Sequence, residues 1–188
     1  MIHDRDVKLV LPRFDREDAV LFVVTTILAL AYGITHDHLT ATLSPEYFLL
    51  GKDLASDPRP FRWAVTVLGA KASWPLGLLA GMALRIANEP SRRLPQRLPI
   101  RRLLGFVAVP MATAVLVALL LGSSPLRFDP WNQRVVAEML AGPTHAPAFV
   151  RVWRIHIGSY LGGALGLLLA VALVRRRRAQ CIEARDGR

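Results

Sequence analysis

Four apolar stretches, at about 19–35, 63–87, 103–122 and 152–174, punctuate this 188-residue chain. Each equals or approaches the roughly 20 residues that a helix needs to cross a hydrocarbon core about 30 Å thick. Within lipid a backbone polar group has no water to turn to, so a single run of this length satisfies its own N–H and C=O groups by coiling into a helix. The expected fold is therefore all-α: an integral membrane four-helix bundle. Hydrophobic residues are 53% of the chain and mean hydropathy is +0.34, with the apolar residues gathered in blocks rather than spread with a soluble period. No connection is long enough for a separate soluble core, so residues 1–178 read as a single membrane domain and 179–188 as a disordered tail.

Charge orients the bundle. The amino-terminal segment (Arg5, Lys8, Arg13, Arg16), the second connection (Arg85, Arg92, Arg93, Arg97, Arg101, Arg102) and the tail (Arg175, Arg176, Arg177, Arg178, Arg185, Arg188) carry 16 basic residues; the first and third connections carry seven, Lys52, Arg59, Arg62, Arg127, Arg134, Arg151 and Arg154. Basic residues near span ends are retained in the cytoplasm, so both termini are expected there, with two outward-facing loops. The net charge of +10 then needs no nucleic acid. The lipid bilayer is the partner it implies, with the arginine block after the fourth span acting as a stop-transfer anchor that meets anionic headgroups. The first span imitates a secretory signal, Ala29, Leu30 and Ala31 standing where a cleavage site would. The acidic Asp4, Asp6, Asp15, Glu17 and Asp18 before it favour an uncleaved anchor. Cys181, the single cysteine, forms no internal disulfide.

Small residues recur at four-residue spacing in two spans: Gly69, Ser73, Gly77 and Gly81 on one face of the second, Gly158, Gly162 and Gly166 on one face of the fourth. Smooth faces let backbones approach closely, the usual route to association where lipid removes the hydrophobic drive. The second and fourth spans are expected to touch through them. Contact within one chain is preferred; a homo-oligomer or another membrane protein would use the same faces. Pro75 and Pro110 each remove a backbone donor inside a span and are candidate kinks.

Both outward loops are expected to hold a short helix. Ser44 and Pro45 suit the N-cap and first turn of one that ends near Gly51. Asp129 and Pro130 start another, which Gly142 and Pro143 stop. Trp131, Val135 and Met139, with Val136 and Leu140 on the adjoining stripe, give it an apolar face to lie along the headgroups or cap the bundle.

Chemistry-bearing residues gather at the outward ends. His36 and Asp37 end the first span and His156 begins the fourth, at similar depth, with Glu46 in the loop between. Imidazoles with a carboxylate are ligands for a transition metal, so His36, Asp37 and His156 form a candidate metal set with a position open to water or substrate. The same groups with Tyr160 also suit proton or small-ligand handling; a third reading makes them helix caps and cross-bundle hydrogen bonds. Lys71 lies about 13 Å along the helix from Arg62, at a depth where an isolated charge costs roughly 2.5–3.5 kcal/mol. It is expected to snorkel, to pair with Glu46 or Asp37, or to meet a substrate. Three function classes stay open: small-ligand, ion or proton handling; a membrane-embedded metal-dependent hydrolase; and a scaffold or assembly subunit. No serine-triad order, phosphate-binding glycine loop, haem motif or dinucleotide fingerprint is present in the sequence.

Tyr32-Gly33-Ile34-Thr35-His36-Asp37, then Thr40-Ala41, Glu46-Tyr47-Phe48 and Gly51, resembles the signature Y-G-x-x-H-D-x-x-T-A-R-x-x-x-E-Y-F-x-x-G-H-P of a family of uncharacterised bacterial four-span membrane proteins. Ser73-Trp74 with Gly77 is similar to that family's T-W-W-x-G, and His156, Ser159, Tyr160 and Gly163 to its H-x-x-S-Y-x-x-G. Lys52 stands where the family has His, Thr42 where it has Arg, His38 where it commonly has Gln, and Pro75 where it has a second Trp. The resemblance implies the four-span fold and a place in the bacterial inner membrane, and brings no established reaction.

Overall fold

The computed structural model describes residues 14–91, 93–125, 130–140 and 144–186. Asp4, Arg5, Asp6, Lys8, Arg13, Arg92, Arg127, Asp129, Gly142, Pro143 and Arg188 lie outside the described residues, as do the side chains of Trp131 and Arg185.

Among the described residues, four helical segments are long and apolar enough to cross a membrane, Arg16–Leu43, Phe61–Asn88, Ile100–Ser123 and Ala146–Cys181. The chain is a multi-pass, all-α membrane protein. Helix α1 (Arg16–Leu43) starts at a reciprocal cap in which Asp18 N–H donates to Asp15 Oδ1 at 2.9 Å and Asp15 N–H to Asp18 Oδ2 at 3.2 Å. It outruns the apolar stretch by about two turns, so His36 and Asp37 stand inside a helix rather than in the following loop. The helix ends only where Pro45 holds Ser44 in extended backbone. Ser44 then accepts from Tyr47 N–H and starts the short α2 (Pro45–Leu49), where the sequence placed it.

Helix α3 (Phe61–Asn88) continues through Pro75. Pro110 acts differently. The third span is broken into α4 (Ile100–Gly105) and α5 (Ala108–Ser123); the proline ring excludes a normal turn four residues before it, and the chain answers with tighter bonds, Val107 N–H to Leu104 and Val109 N–H to Phe106. Helix α6 (Pro130–Met139) forms in the third connection and α7 (Ala146–Asp186) carries the fourth span. The chain expected as a disordered tail continues α7 to Asp186.

The spans pack as two tight pairs, α1 with α3 and α5 with α7, with lighter contact between α3 and α7. This corrects the expected pairing of the two glycine faces with each other. A Cβ on Gly77 would lie 2.6 Å from Thr26 Cα, and one on Gly81 2.8 Å from Thr25 Oγ1, both on α1. On α7, a Cβ on Gly158 would lie 2.8 Å from Ala118 Cα, one on Gly162 2.8 Å from Ala114 Cα, and one on Gly166 2.6 Å from Pro110 Cα, all on α5. The glycines are close-approach positions, with other partners than the sequence suggested.

Each end of the bundle has its own apolar core. At the α2 end, Ala41, Tyr47, Phe48, Val65, Phe149, Val150 and Val152 pack together. Helix α6 joins them through Val136 and Ala137, with Leu140 just beyond its end, whereas Val135 and Met139 are exposed. The adjoining stripe is thus the packed one. At the opposite end Leu21, Leu84, Ala87, Leu98, Leu103, Ala170 and Val174 form the second core. Its polar fastenings are buried: Asp18 and Arg85 pair at 3.0 Å, and Arg178 donates to the main-chain oxygens of Gln96, Ala87 and Leu94 at 2.9, 2.7 and 2.5 Å. Arg178 therefore departs from the headgroup role expected of the arginine block; it ties α7 to the end of α3 and to the α3–α4 connection.

Candidate functional site at the end of the cleft

Between the two cores the helix pairs separate, leaving a cleft of about 380 Å³. At its α2 end stand His36 and Asp37 from α1 and His156 from α7. One ligand atom from each of the three lies within 4.8 Å of the other two. The helical extension of α1 makes this possible: it turns Asp37, Thr40 and Ala41 inward to burial, and Gly69 leaves room for the carboxylate, since a Cβ there would lie 3.1 Å from Asp37 Oδ2.

Hydrogen bonding defines what the cluster lacks. His156 Nδ1 is 2.9 Å from the Val152 carbonyl oxygen, which only accepts, so Nδ1 carries the proton. In a neutral ring Nε2 is then an acceptor, yet it faces the buried Asp37 Oδ1 at 3.3 Å. Two lone-pair groups at that separation repel unless a positive charge joins them. His36 Nε2 is also buried with no hydrogen-bond partner. A histidine that fixes one nitrogen on a carbonyl and turns the other inward has the arrangement of a metal-ligating imidazole.

The surroundings are aromatic. The His156 ring lies 4.7 Å from those of both His36 and Tyr47, and 5.8 Å from that of Phe48. Burial pushes the Tyr47 phenol above its ordinary range, with Tyr160 and then the Asp37 charge adding to the rise, so it stays protonated. Tyr32 stacks on His36 one turn away and its hydroxyl bonds Ser159 Oγ at 2.8 Å.

Of the sequence candidates, His36, Asp37 and His156 converge, and Tyr160 lines the same cleft. Glu46 does not join them: it accepts from Ser44 Oγ at 2.9 Å and pairs with His145 Nδ1 at 3.3 Å. Lys71 is exposed on α3 and stays out of the cluster. Tyr32, Ser159 and Tyr47 were not singled out as site residues; the one-turn spacings Tyr32 to His36 and His156 to Ser159 were the available signal.

Comparison of the chain with models of known families, with curated proteins and with solved structures finds no match.

Proposed function

We propose that this membrane protein binds a divalent transition-metal ion between His36, Asp37 and His156 and offers its remaining coordination positions to a ligand in the cleft. The observation that carries the reading is the pair of inward-facing imidazole nitrogens around a buried carboxylate, with His156 Nε2 set as an acceptor by its bond to Val152. The 3.3 Å between His156 Nε2 and Asp37 Oδ1 is also the separation that two donors about 2.0–2.1 Å from one tetrahedral ion adopt. Two histidines and one carboxylate leave such an ion open to water or substrate, the condition for Lewis-acid or hydrolytic chemistry. The partition of basic residues supports an outward-facing site with both termini in the cytoplasm. A second reading rests on the same separation. A proton on Nε2 would make it a charge-assisted hydrogen bond to Asp37, and the cluster would then handle protons.

Elemental analysis of protein purified in detergent without chelators decides between them. The expected result is close to one transition-metal ion per chain, retained through dialysis and lost by His36→Ala and by His156→Ala, because removing one of three ligands sharply weakens such a site. Protein that carries no metal and shows no ligand-field absorption on cobalt titration sinks the metal reading and leaves proton handling.

A further inference from the structure

The cleft beneath the cluster is built for a chain-like occupant. Its lining on α1 runs from Thr25 to Asp37, about 18 Å of helix, and on α7 from His156 to Leu167, about 16 Å. That depth lies within the membrane-spanning segments. Among the described residues of the lining Asp37 is the one carboxylate and there is no Lys or Arg; below it the walls are Leu28, Leu76, Ala80, Met111, Ala164 and Leu167, with other small residues and the hydroxyls of Thr25 and Ser73, which donate to main-chain oxygens of their own helices. Water gains few partners along such walls, and an empty apolar void forfeits dispersion contacts. Small side chains keep the space open: a Cβ on Gly163 would meet only Ala114 Cβ, at 3.9 Å. The rim does not face water either. Leu76 and Leu79, at 46% and 60% exposure, border the cleft at mid-span, where the neighbouring medium is lipid; Tyr160, half exposed, borders it nearer the α2 end. At the α2 end the apolar walls give way to His36, His156, Ser159 and the hydroxyls of Tyr32 and Tyr160.

We infer that the cleft takes a single-chain amphiphile from the bilayer, its hydrocarbon tail lying between the helix pairs and its oxygen-bearing head meeting the His36–Asp37–His156 cluster. This deepens the proposed function by naming the ligand class of the same site, and the tail-binding part stands without the metal. The head is an oxygen acceptor, matched by the Tyr160 hydroxyl, by the one hydroxyl proton that the Tyr32–Ser159 bond leaves over, and by any cation held between the imidazoles. The volume falls within the range of ordinary ligand pockets.

The test is photolabelling of the full chain in phosphatidylcholine vesicles with palmitate that carries a diazirine in its tail, followed by peptide mapping. Saturable label is expected on α3 around Leu76 and on α7 around Ala164, displaced by excess unlabelled palmitate. Gly163→Leu and Ala164→Phe fill the cleft and should each lower it about tenfold, equivalent to about 1.4 kcal/mol of binding. Leu165→Phe, on a side chain that does not line the cleft, should leave it unchanged. Label that is spread evenly over lipid-facing residues such as Leu165 and Leu168, or that none of these changes displaces, overturns the inference even if metal is bound. Saturable cleft label on protein that holds no metal overturns the metal reading and leaves this one standing.

Discussion

His156 Nε2 and Asp37 Oδ1 stand 3.3 Å apart although 119 positions separate the two residues along the chain. Both are buried, and the Val152 carbonyl has already taken the other imidazole proton, so the pair is one positive charge short of a satisfied contact. A double-acceptor contact in a low-dielectric setting is costly, and whatever supplies the charge is held firmly.

Asp37→Asn should separate fold from binding. The amide offers an N–H donor to Nε2 and relieves the contact without any cation, so thermal unfolding in detergent should stay within a few degrees of the parent. Cobalt affinity should fall by at least about tenfold, the cost of weakening a coordinating group. An Asn variant that binds cobalt as the parent does would remove Asp37 from the ligand set.

Glycine substitutions should sort by their neighbours. Leu at Gly77 or Gly162 drives side-chain atoms into the backbone of α1 or α5 and should cost about 1–3 kcal/mol or more, read as loss of folded protein on heating. Ala at Gly163, which faces the cleft, should stay within about 0.5 kcal/mol of the parent. Equal tolerance at Gly162 and Gly163 would remove the close-approach argument.

Neighbouring arginines on α7 should behave unequally. Arg178→Ala leaves three carbonyl oxygens, one in the last turn of α3 and two in the α3–α4 connection, without their donor and should cost about 2–4 kcal/mol, from charged hydrogen bonds worth about 1.5–3 kcal/mol each and partial rehydration. Arg177 is exposed and, among the described residues, bonds Gln180 alone, so Arg177→Ala should be near neutral. Lys at 178 should recover only part of the loss, because one ammonium does not span the guanidinium fork. Similar melting of the two alanine variants would show that Arg178 is a headgroup contact after all.

Reporter fusions placed after Arg93 and after Arg178 should read cytoplasmic, and those near Asp53 and near Pro143 external, following the weighting of basic residues. An external signal at Arg93 inverts the arrangement and puts the cluster on the inner face.

The span number, the all-α class, the short helices α2 and α6 and the small-residue faces were legible because each rests on local rules: apolar length, capping chemistry and side-chain size. The end of α1 was less so. Apolar counting stops at Thr35, but helix continues while the polar residues alternate between an inward face, Asp37 and Thr40, and an outward one. The break at Pro110 was a candidate kink, while its neighbour in kind, Pro75, leaves α3 continuous.

What the sequence by itself determined is the set of elements and their smooth faces, since hydrocarbon leaves a lone apolar segment few ways to satisfy its backbone. Which face meets which was decided by tertiary structure alone. Gly77 announces that some backbone approaches closely, but Thr26 on α1 and Ala114 on α5 present equally small surfaces, and only the packed bundle chooses between them. The same choice made the site. Because α1 pairs with α3 and α5 with α7, the pairs part at mid-bundle, and His36 and Asp37 meet His156 across the gap. Glu46, equally plausible by composition, is drawn off to Ser44 and His145. Chemical type is written in the chain; the coincidence of lone pairs within 4.8 Å belongs to the fold, because it depends on distances that no local spacing encodes.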